Sequence, residues 1–151
     1  MNLLGIESSS RKLSVGLMKE DSFSELHSEK INDTANSLPI LSKKIINNAS
    51  LNFENLDAIC ISSGPGSFTG LRVGMSYAKG IAMALDLPIV PVSTFDSLAY
   101  KNTSEKLSTL IYSHGNTFYV CEFSLDNGIL SKSGEPKSIL KEDVLELSKN
   151  I

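Results

Sequence analysis

The chain has 151 residues, enough for one domain or for one domain and part of a second. Hydrophobic residues make up 41% and charged residues 21%, which is typical of a soluble globular protein and excludes wholesale disorder. The formal net charge of −3, with basic residues only in isolated pairs, argues against unaided nucleic-acid binding. No apolar run reaches the roughly 18–20 residues of a membrane span, and no basic leader is present, so we expect a soluble, cytoplasmic protein.

The first third of the chain is predicted to form three strands followed by a helix. Residues 2–7, 13–18 and 23–31 are apolar or alternating runs separated by polar turns, which favours an antiparallel meander. Leu38, Leu41, Ile45 and Ile46 then recur at helical spacing, which predicts a helix over residues 37–49. Because proline is tolerated in the first turn of a helix, Pro39 favours a helix start near Asn36 or Ser37.

The middle of the chain predicts an α/β order. Residues 57–63 form a short buried strand, residues 70–86 a long helix and residues 89–92 another strand, which the crossover rule makes a parallel neighbour of the first. A short helix then runs to Tyr100. Polar residues follow, so the sequence predicts two lobes, 1–103 and 104–151.

The second lobe repeats the opening theme of strands followed by a helix. Two strand-like runs, 107–113 and 117–125, flank His114, and the turn Asp126-Asn127-Gly128 predicts a hairpin. A final helix is predicted over residues 139–149, with Leu140, Val144 and Leu147 facing inward. The sequence shows no internal repeat, so duplication is suggested by the order of elements alone.

The loop Gly64-Pro65-Gly66-Ser67-Phe68-Thr69-Gly70 lies between the buried strand and the long helix. Its glycines permit close backbone approach, and Ser67 or Thr69 can cap the helix. The spacing matches neither a Walker A loop nor GxGxxG. A tight strand-to-helix turn is therefore favoured over an anion site at the helix N-terminus, which stays open.

The long helix carries two apolar stripes. One is small and consists of Gly70, Gly74, Ala78 and Ala82; the other is large and consists of Val73, Tyr77, Ile81 and Leu85. A helix that is apolar on most of its circumference is buried on more than one side. The chain's own sheet can cover one side of the helix, and we expect a partner subunit to cover the other, with the small stripe leaving room for a neighbouring helix backbone. The alternatives are packing against helix 37–49 alone, or a small stripe in which Ala78 faces the chain's own sheet.

The cysteines and histidines do not form a recognisable site. Cys60 and Cys121 each lie in an apolar run and are expected to be buried thiols. His27 and His114 are far apart and lack zinc-ligand spacing, so no metal or other cofactor is expected.

The run from Gly64 to Gly74, together with Ala78-Lys79-Gly80-Ile81-Ala82 and Pro91-Val92-Ser93, closely resembles the TsaB (YeaZ) family. This resemblance implies an actin-like (ASKHA, ribonuclease H-like) lobe with a mixed sheet and a shortened second lobe. It also implies a non-catalytic subunit that forms homodimers alone, dimerises with TsaD, meets TsaE through that pair, and reaches tRNA only through the complex. The modification that this resemblance implies is N6-threonylcarbamoylation of adenosine 37 in tRNAs reading ANN codons.

Two functions follow for the same residues. In the first, the two long helices form the partner interface, and the glycine loop with Arg72 forms the family motif. The expected interface residues are Leu38, Leu41, Ile45, Gly70, Val73, Gly74, Tyr77, Ala78, Ile81, Ala82 and Leu85. The alternative is a stand-alone ATP-dependent kinase or ATPase, in which Glu7 would organise a metal and the loop would hold phosphate. The first reading is favoured.

Overall fold

The computed structural model describes residues 1–100 and 102–147, and it confirms the α/β class. The strands are β1 (Asn2–Glu7), β2 (Ser14–Lys19), β3 (Ser22–His27), β4 (Ala58–Gly64), β5 (Ile89–Ser93), β6 (Lys106–Tyr112), β7 (Thr117–Asp126), β8 (Ile129–Lys132) and β9 (Lys137–Leu140). The helices are α1 (Thr34–Asn48), α2 (Phe68–Leu85), α3 (Thr94–Ala99) and α4 (Lys141–Leu147), with a 3₁₀ turn at Phe53–Asn55. Two compact units are formed, Met1–Val92 and Ser93–Ile151.

The first unit is built on a five-stranded mixed sheet in the order β3-β2-β1-β4-β5. β1, β2 and β3 form the predicted antiparallel meander, in which Leu4 lies opposite Leu17. β4 runs parallel to β1 on its other edge, with Leu4 opposite Ile59. β1 is therefore the central strand of the sheet, and Leu4 and Ile59 are fully buried.

Helix α1 begins at Thr34, earlier than predicted. The Asp33 carboxylate before it accepts hydrogen bonds from Asn36 Nδ2 at 2.7 Å and from Ser37 Oγ at 3.1 Å. These contacts hold the first turn together, so the helix extends upstream of the predicted start. Pro39 consequently lies inside the helix rather than in its first turn, where its missing N–H removes one backbone hydrogen bond.

The predicted lobe boundary at residue 103 is wrong, because α3 belongs to the second unit, which starts at Ser93. Phe95 and Ala99 of α3 are buried in one cluster with Cys121 and Phe123 of β7. The polar run that suggested a boundary therefore connects two elements of the same unit.

The second unit is a four-stranded antiparallel sheet around β7. β6 pairs with one edge of β7, while β8 and β9 pair with different parts of the other edge. The predicted hairpin is confirmed, since Asn127 and Gly128 both adopt positive φ, at 50° and 77°.

The last predicted helix begins later than expected. Leu140 is the final residue of β9 and is 53% exposed, so its predicted inward position is wrong. Val144 is half-buried in α4. The side chain of Leu147 and residues 148 and 149 lie outside the described residues. None of the described helices is long and apolar enough to cross a membrane.

Candidate functional site

The glycine loop Gly64–Gly70 packs against the end of β1. The Ser67 amide donates to the Ser9 carbonyl oxygen at 2.6 Å. The Ser67 side chain caps α2, because its Oγ accepts a hydrogen bond from the Gly70 amide at 3.2 Å. The predicted cap is thereby confirmed, and these two amides are already bonded within the chain.

The glycines are required by this close approach. A Cβ on Gly66, whose φ is +156°, would lie 2.7 Å from the Ser9 Cβ. A Cβ on Gly70 would overlap the Ser8 carbonyl oxygen. The arrangement is that of a tight turn held against β1, which is the favoured interpretation of the sequence.

The small stripe of α2 faces the chain's own sheet, so the expectation that a partner subunit covers it is wrong. Gly70, Gly74, Ala78 and Ala82 are all buried within the first unit. A Cβ on Gly74 would overlap Ser8 Oγ and lie 3.2 Å from Ile61 Cδ1. Small residues are needed here because β1 and β4 pass directly beneath the helix.

The same correction applies to two predicted interface residues of α1. Leu38 and Ile45 are at most 1% exposed and belong to the core of the first unit. Leu41 is half-buried and packs against that core. These side chains are occupied by intramolecular packing.

The large stripe of α2 is only half-buried. Tyr77 and Ile81 pack against the core of the first unit. Burial raises the pKa of Tyr77, and the Ser42 hydroxyl offsets part of that rise. Val73 and Leu85 are also partly accessible. This row is the part of the predicted interface that a partner can still reach.

Two exposed apolar residues on the outer sides of these helices were missed. Met83 of α2 is 86% exposed and Ile40 of α1 is 66% exposed. The sequence carried a signal for both: Met83 follows Lys79 by four residues in the polar band, and Ile40 precedes Lys43 by three residues on the polar face. The search for apolar stripes overlooks a single apolar residue that lies within a polar stripe.

The remaining motif residues also lie on the outside of α2. Phe68 is 68% exposed, Thr69 is exposed, and the Arg72 guanidinium carbon lies 3.7 Å from the centroid of the Phe68 ring. Pro65 is half-buried and Gly64 is buried with φ of 96°. The motif therefore divides into a buried turn and an exposed Phe68–Arg72 pair.

A cleft of about 300 Å³ opens where the loop meets the start of α1. Its lining is uncharged and consists of Ser10, Asn32, Thr34, Ala35, Ser67, Thr69, Gly70 and Val73. It offers hydroxyl and amide groups, which can donate hydrogen bonds to a ligand and accept hydrogen bonds from it. None of the lining side chains is a carboxylate, imidazole or amine that could act as a general base.

Glu7, the acidic residue of the alternative function, lies at the end of β1. Its Oε1 accepts a hydrogen bond from the Ser9 amide at 2.6 Å. Over residues 1–100 and 102–147, no group of three or more His, Cys, Asp or Glu side chains is arranged to hold a metal ion. Within that described part, Glu7 acts locally in the turn after β1.

The thiols and His114 are placed much as the sequence predicted. Cys121 is buried and Cys60 half-buried, neither is in a disulfide, and burial raises the pKa of each thiol. His114 is exposed in the turn between β6 and β7, with its Nδ1 2.9 Å from Ser113 Oγ.

Comparison with known proteins connects this geometry to a family. The family model of TsaD, tRNA N6-adenosine threonylcarbamoyltransferase, matches residues 24–148. The TsaB biosynthesis protein of Bacillus subtilis is 28% identical, over 99% of this chain and 66% of its own length. TsaB of Haemophilus influenzae is 33% identical, over 66% of this chain and 42% of its own. The chain thus spans about two thirds or less of the length of these relatives.

The fold also matches a solved structure. YeaZ from Pseudomonas aeruginosa superimposes with a TM-score of 0.82 at 24% sequence identity, over 92% of this chain and 67% of that one. The expected actin-like lobe with a mixed sheet is confirmed, and the chain continues into a second unit of strands and helices. The chain belongs to the TsaD family, and within it to the TsaB (YeaZ) branch.

Proposed function

We propose that the chain is a non-catalytic cytoplasmic subunit of the machinery that makes N6-threonylcarbamoyladenosine at position 37 of tRNAs reading ANN codons. It dimerises with a TsaD-type subunit and activates it, TsaE joins through that pair, and tRNA is reached only through the complex. Alone, the chain forms a homodimer. The similarity to the TsaB biosynthesis protein along nearly the whole chain supports this proposal over the ATPase alternative.

The observation that carries the proposed interface is the exposure of Met83 and Ile40 on the outer sides of α2 and α1. Both helices bury their opposite sides in the core of the first unit. Large apolar side chains with this exposure are candidates for burial by a partner. We place the interface on this outer surface, extending to the half-buried Val73 and Tyr77.

Charge further defines the partner of this surface. Neither α1 nor α2 contains an aspartate or glutamate, and their charged residues are all basic and exposed: Lys43, Lys44, Arg72 and Lys79. The chain as a whole is acidic, so this basic surface is a local feature. A complementary partner presents apolar side chains bordered by carboxylates.

The interface is tested by substituting its exposed apolar residues. Met83→Arg and Ile40→Arg are expected to weaken binding to TsaD of the same organism by about tenfold or more, because an added charge must be desolvated on binding. Titration calorimetry measures the affinity, and threonylcarbamoylation of tRNA by the reconstituted subunits measures activation. Ile129→Arg is the matched control, since Ile129 is 70% exposed but lies in the second unit. Normal affinity in both folded helix variants would place the interface elsewhere.

The non-catalytic assignment has a separate test. The isolated protein is expected to show no metal-dependent, saturable ATP hydrolysis. Such an activity, if it is lost in Glu7→Ala while the fold is retained, favours the ATPase alternative.

A further inference from the structure

The outer side of α2 carries a row of exposed side chains. Phe68, Arg72, Lys79 and Met83 are spaced by four, seven and four residues, which places them on one side of a helix with about 3.6 residues per turn. All four are exposed, and Phe68 and Met83 are 68% and 86% exposed. The row therefore has a large apolar residue at each end and two cations between them.

Helix α1 continues the same pattern. Its exposed Ile40 is followed three and four residues later by the exposed Lys43 and Lys44. The carboxylates that flank the two helices are Asp33, before α1, and Asp86, after α2, so both lie at helix ends. Asp33 already accepts hydrogen bonds from side chains of its own helix. The outer sides of both helices therefore present cations beside each exposed apolar residue.

The positive charge of α2 is not compensated within the part of the chain that the structure describes, where neither Arg72 nor Lys79 pairs with a carboxylate. The Arg72 guanidinium instead stacks on the ring of Phe68, with its carbon 3.7 Å from the ring centroid. This cation–π contact restricts the arginine side chain and leaves the N–H groups at the edge of the guanidinium to act as donors. A guanidinium held in this way can donate two parallel hydrogen bonds to a carboxylate of another protein.

We propose that Arg72 and Lys79 determine which partner binds this surface, because they favour a TsaD-type subunit that presents carboxylates over a second copy of this chain. The inference rests on the proposed function, in which the outer sides of α1 and α2 form the interface. A two-fold homodimer brings the same surface of both copies together, so it gathers the cations of both chains. Carboxylates opposite Arg72 and Lys79 replace that repulsion with ion pairs. The repulsive element acts against the second copy, as selective interfaces require.

Ionic strength is expected to act on the two assemblies in opposite directions. Raising the NaCl concentration from about 0.05 M to about 0.5 M screens the exposed charges. The complex with TsaD of the same organism should weaken by about tenfold, since its ion pairs are screened. Self-association should strengthen severalfold, since its repulsion is screened. Titration calorimetry measures the first dissociation constant, and sedimentation equilibrium measures the second.

Charge reversal tests the two residues directly. Arg72→Glu is expected to weaken TsaD binding by about tenfold or more and to strengthen self-association, because each copy then presents both signs of charge to the other. Lys79→Glu should act in the same directions with a smaller change, since no ring contact fixes its ammonium group. Lys106→Glu is the matched control: it makes the same change in net charge at an exposed position of the second unit, and both dissociation constants should stay as in the wild type.

The conservative variant Arg72→Lys separates the stacked guanidinium from charge alone. It keeps the positive charge but loses the planar pair of donors. We expect TsaD binding to weaken severalfold while self-association stays unchanged, because the repulsion between copies depends on the charge. Wild-type affinity for TsaD in Arg72→Lys would show that the guanidinium geometry contributes nothing.

Met83→Arg distinguishes this inference from the proposed function. If Met83→Arg folds and leaves TsaD binding unchanged, the interface lies elsewhere, and both proposals fail. If Met83→Arg weakens TsaD binding but Arg72→Glu changes both dissociation constants in the same direction, the interface stands and selection by charge is wrong. Salt that weakens both assemblies alike would overturn the inference in the same way.

Discussion

Both units contain a run of antiparallel strands followed by a helix, but they bury the first strand of that run differently. In the first unit β1 lies between β2 and β4, and its Leu4 and Ile6 are at most 3% exposed. Among the residues that the structure describes, β6 of the second unit pairs on one side only, and its Leu110 and Tyr112 are 37% and 60% exposed. The meander and following helix are common to both, so they do not by themselves create a central strand.

The elements that follow the meander make the difference. In the first unit β4 pairs with the free edge of β1, and α2 then packs its small stripe onto both strands. Among the described residues, the second unit has no counterpart of this strand and helix. The packing of β4 and α2 against β1 is therefore what makes β1 a central, buried strand.

The largest expected effect is a difference in the free energy of unfolding between equivalent truncations in the two units. Ile61 of β4 is 1% exposed, so Ile61→Ala is expected to lower the free energy of unfolding by about 2–5 kcal/mol. Ile111 of β6 is half-buried, and Ile111→Ala should cost about 1–2 kcal/mol, in line with its smaller buried area. Urea unfolding followed by circular dichroism measures both. Equal losses would remove the distinction between the two cores.

The next effect isolates the contact between α2 and β1. Gly74→Ala is expected to destabilise the protein by about 1–3 kcal/mol, because its Cβ would overlap Ser8 Oγ in a packed core. Gly80 lies on the exposed side of the same helix with no atom within 4 Å of an added Cβ. Gly80→Ala should therefore stabilise by about 1 kcal/mol through helix propensity alone. If both variants behave alike in urea unfolding, the small stripe is not closely packed.

Those glycines mark the boundary of what the sequence could predict. Four-residue spacing shows that Gly70, Gly74, Ala78 and Ala82 share a face, but the same spacing serves packing on a partner or on the chain's own sheet. Which of these two surfaces covers the stripe depends on how closely the ends of β1 and β4 approach the helix. That distance is set by contacts between residues far apart in sequence. Signals that act locally, such as the Ser67 cap and the Asn127-Gly128 turn, were predicted correctly.

The errors in element limits have the same origin. Leu140 fits the helical spacing of Val144, yet it ends β9 because its neighbours pair with β7. The sequence also placed α3 in the first lobe, since polar residues follow it, whereas Phe95 packs on β7 of the second unit. In each case tertiary pairing overrides a local pattern.

A smaller effect is expected in the reactivity of the two thiols, which reports on the relative stability of the two units. Cys121 of the second unit is more deeply buried than Cys60 of the first. Burial raises the pKa of both, so each thiol has a smaller fraction of reactive thiolate in the native protein than in the unfolded chain at the same pH. If the second unit opens more easily, alkylation of Cys121 should begin at a lower urea concentration than that of Cys60. Mass spectrometry quantifies each site, and earlier reaction of Cys60 would contradict this ranking.

The smallest effect concerns the helices that close the two meanders. α1 starts at the Asp33 carboxylate, which accepts from the side chains of Asn36 and Ser37, while at α4 the Asp143 carboxylate accepts from the Leu140 amide at 3.2 Å. The hydrogen bond from Asn36, and after it that from Ser37, lowers the pKa of Asp33.

A lowered pKa in the folded state means that Asp33 contributes stability above the ordinary carboxyl pKa and loses it as the pH falls through the lowered value. Asp33→Ala is therefore expected to shift the urea midpoint slightly downward at neutral pH and to match the wild type in strong acid. Asn36→Ala removes the largest cause of the shift, so it should reduce the dependence on pH while leaving the carboxylate in place. A midpoint difference between Asp33→Ala and wild type that stays constant from neutral to acidic pH would show that the carboxylate charge contributes nothing to the start of α1.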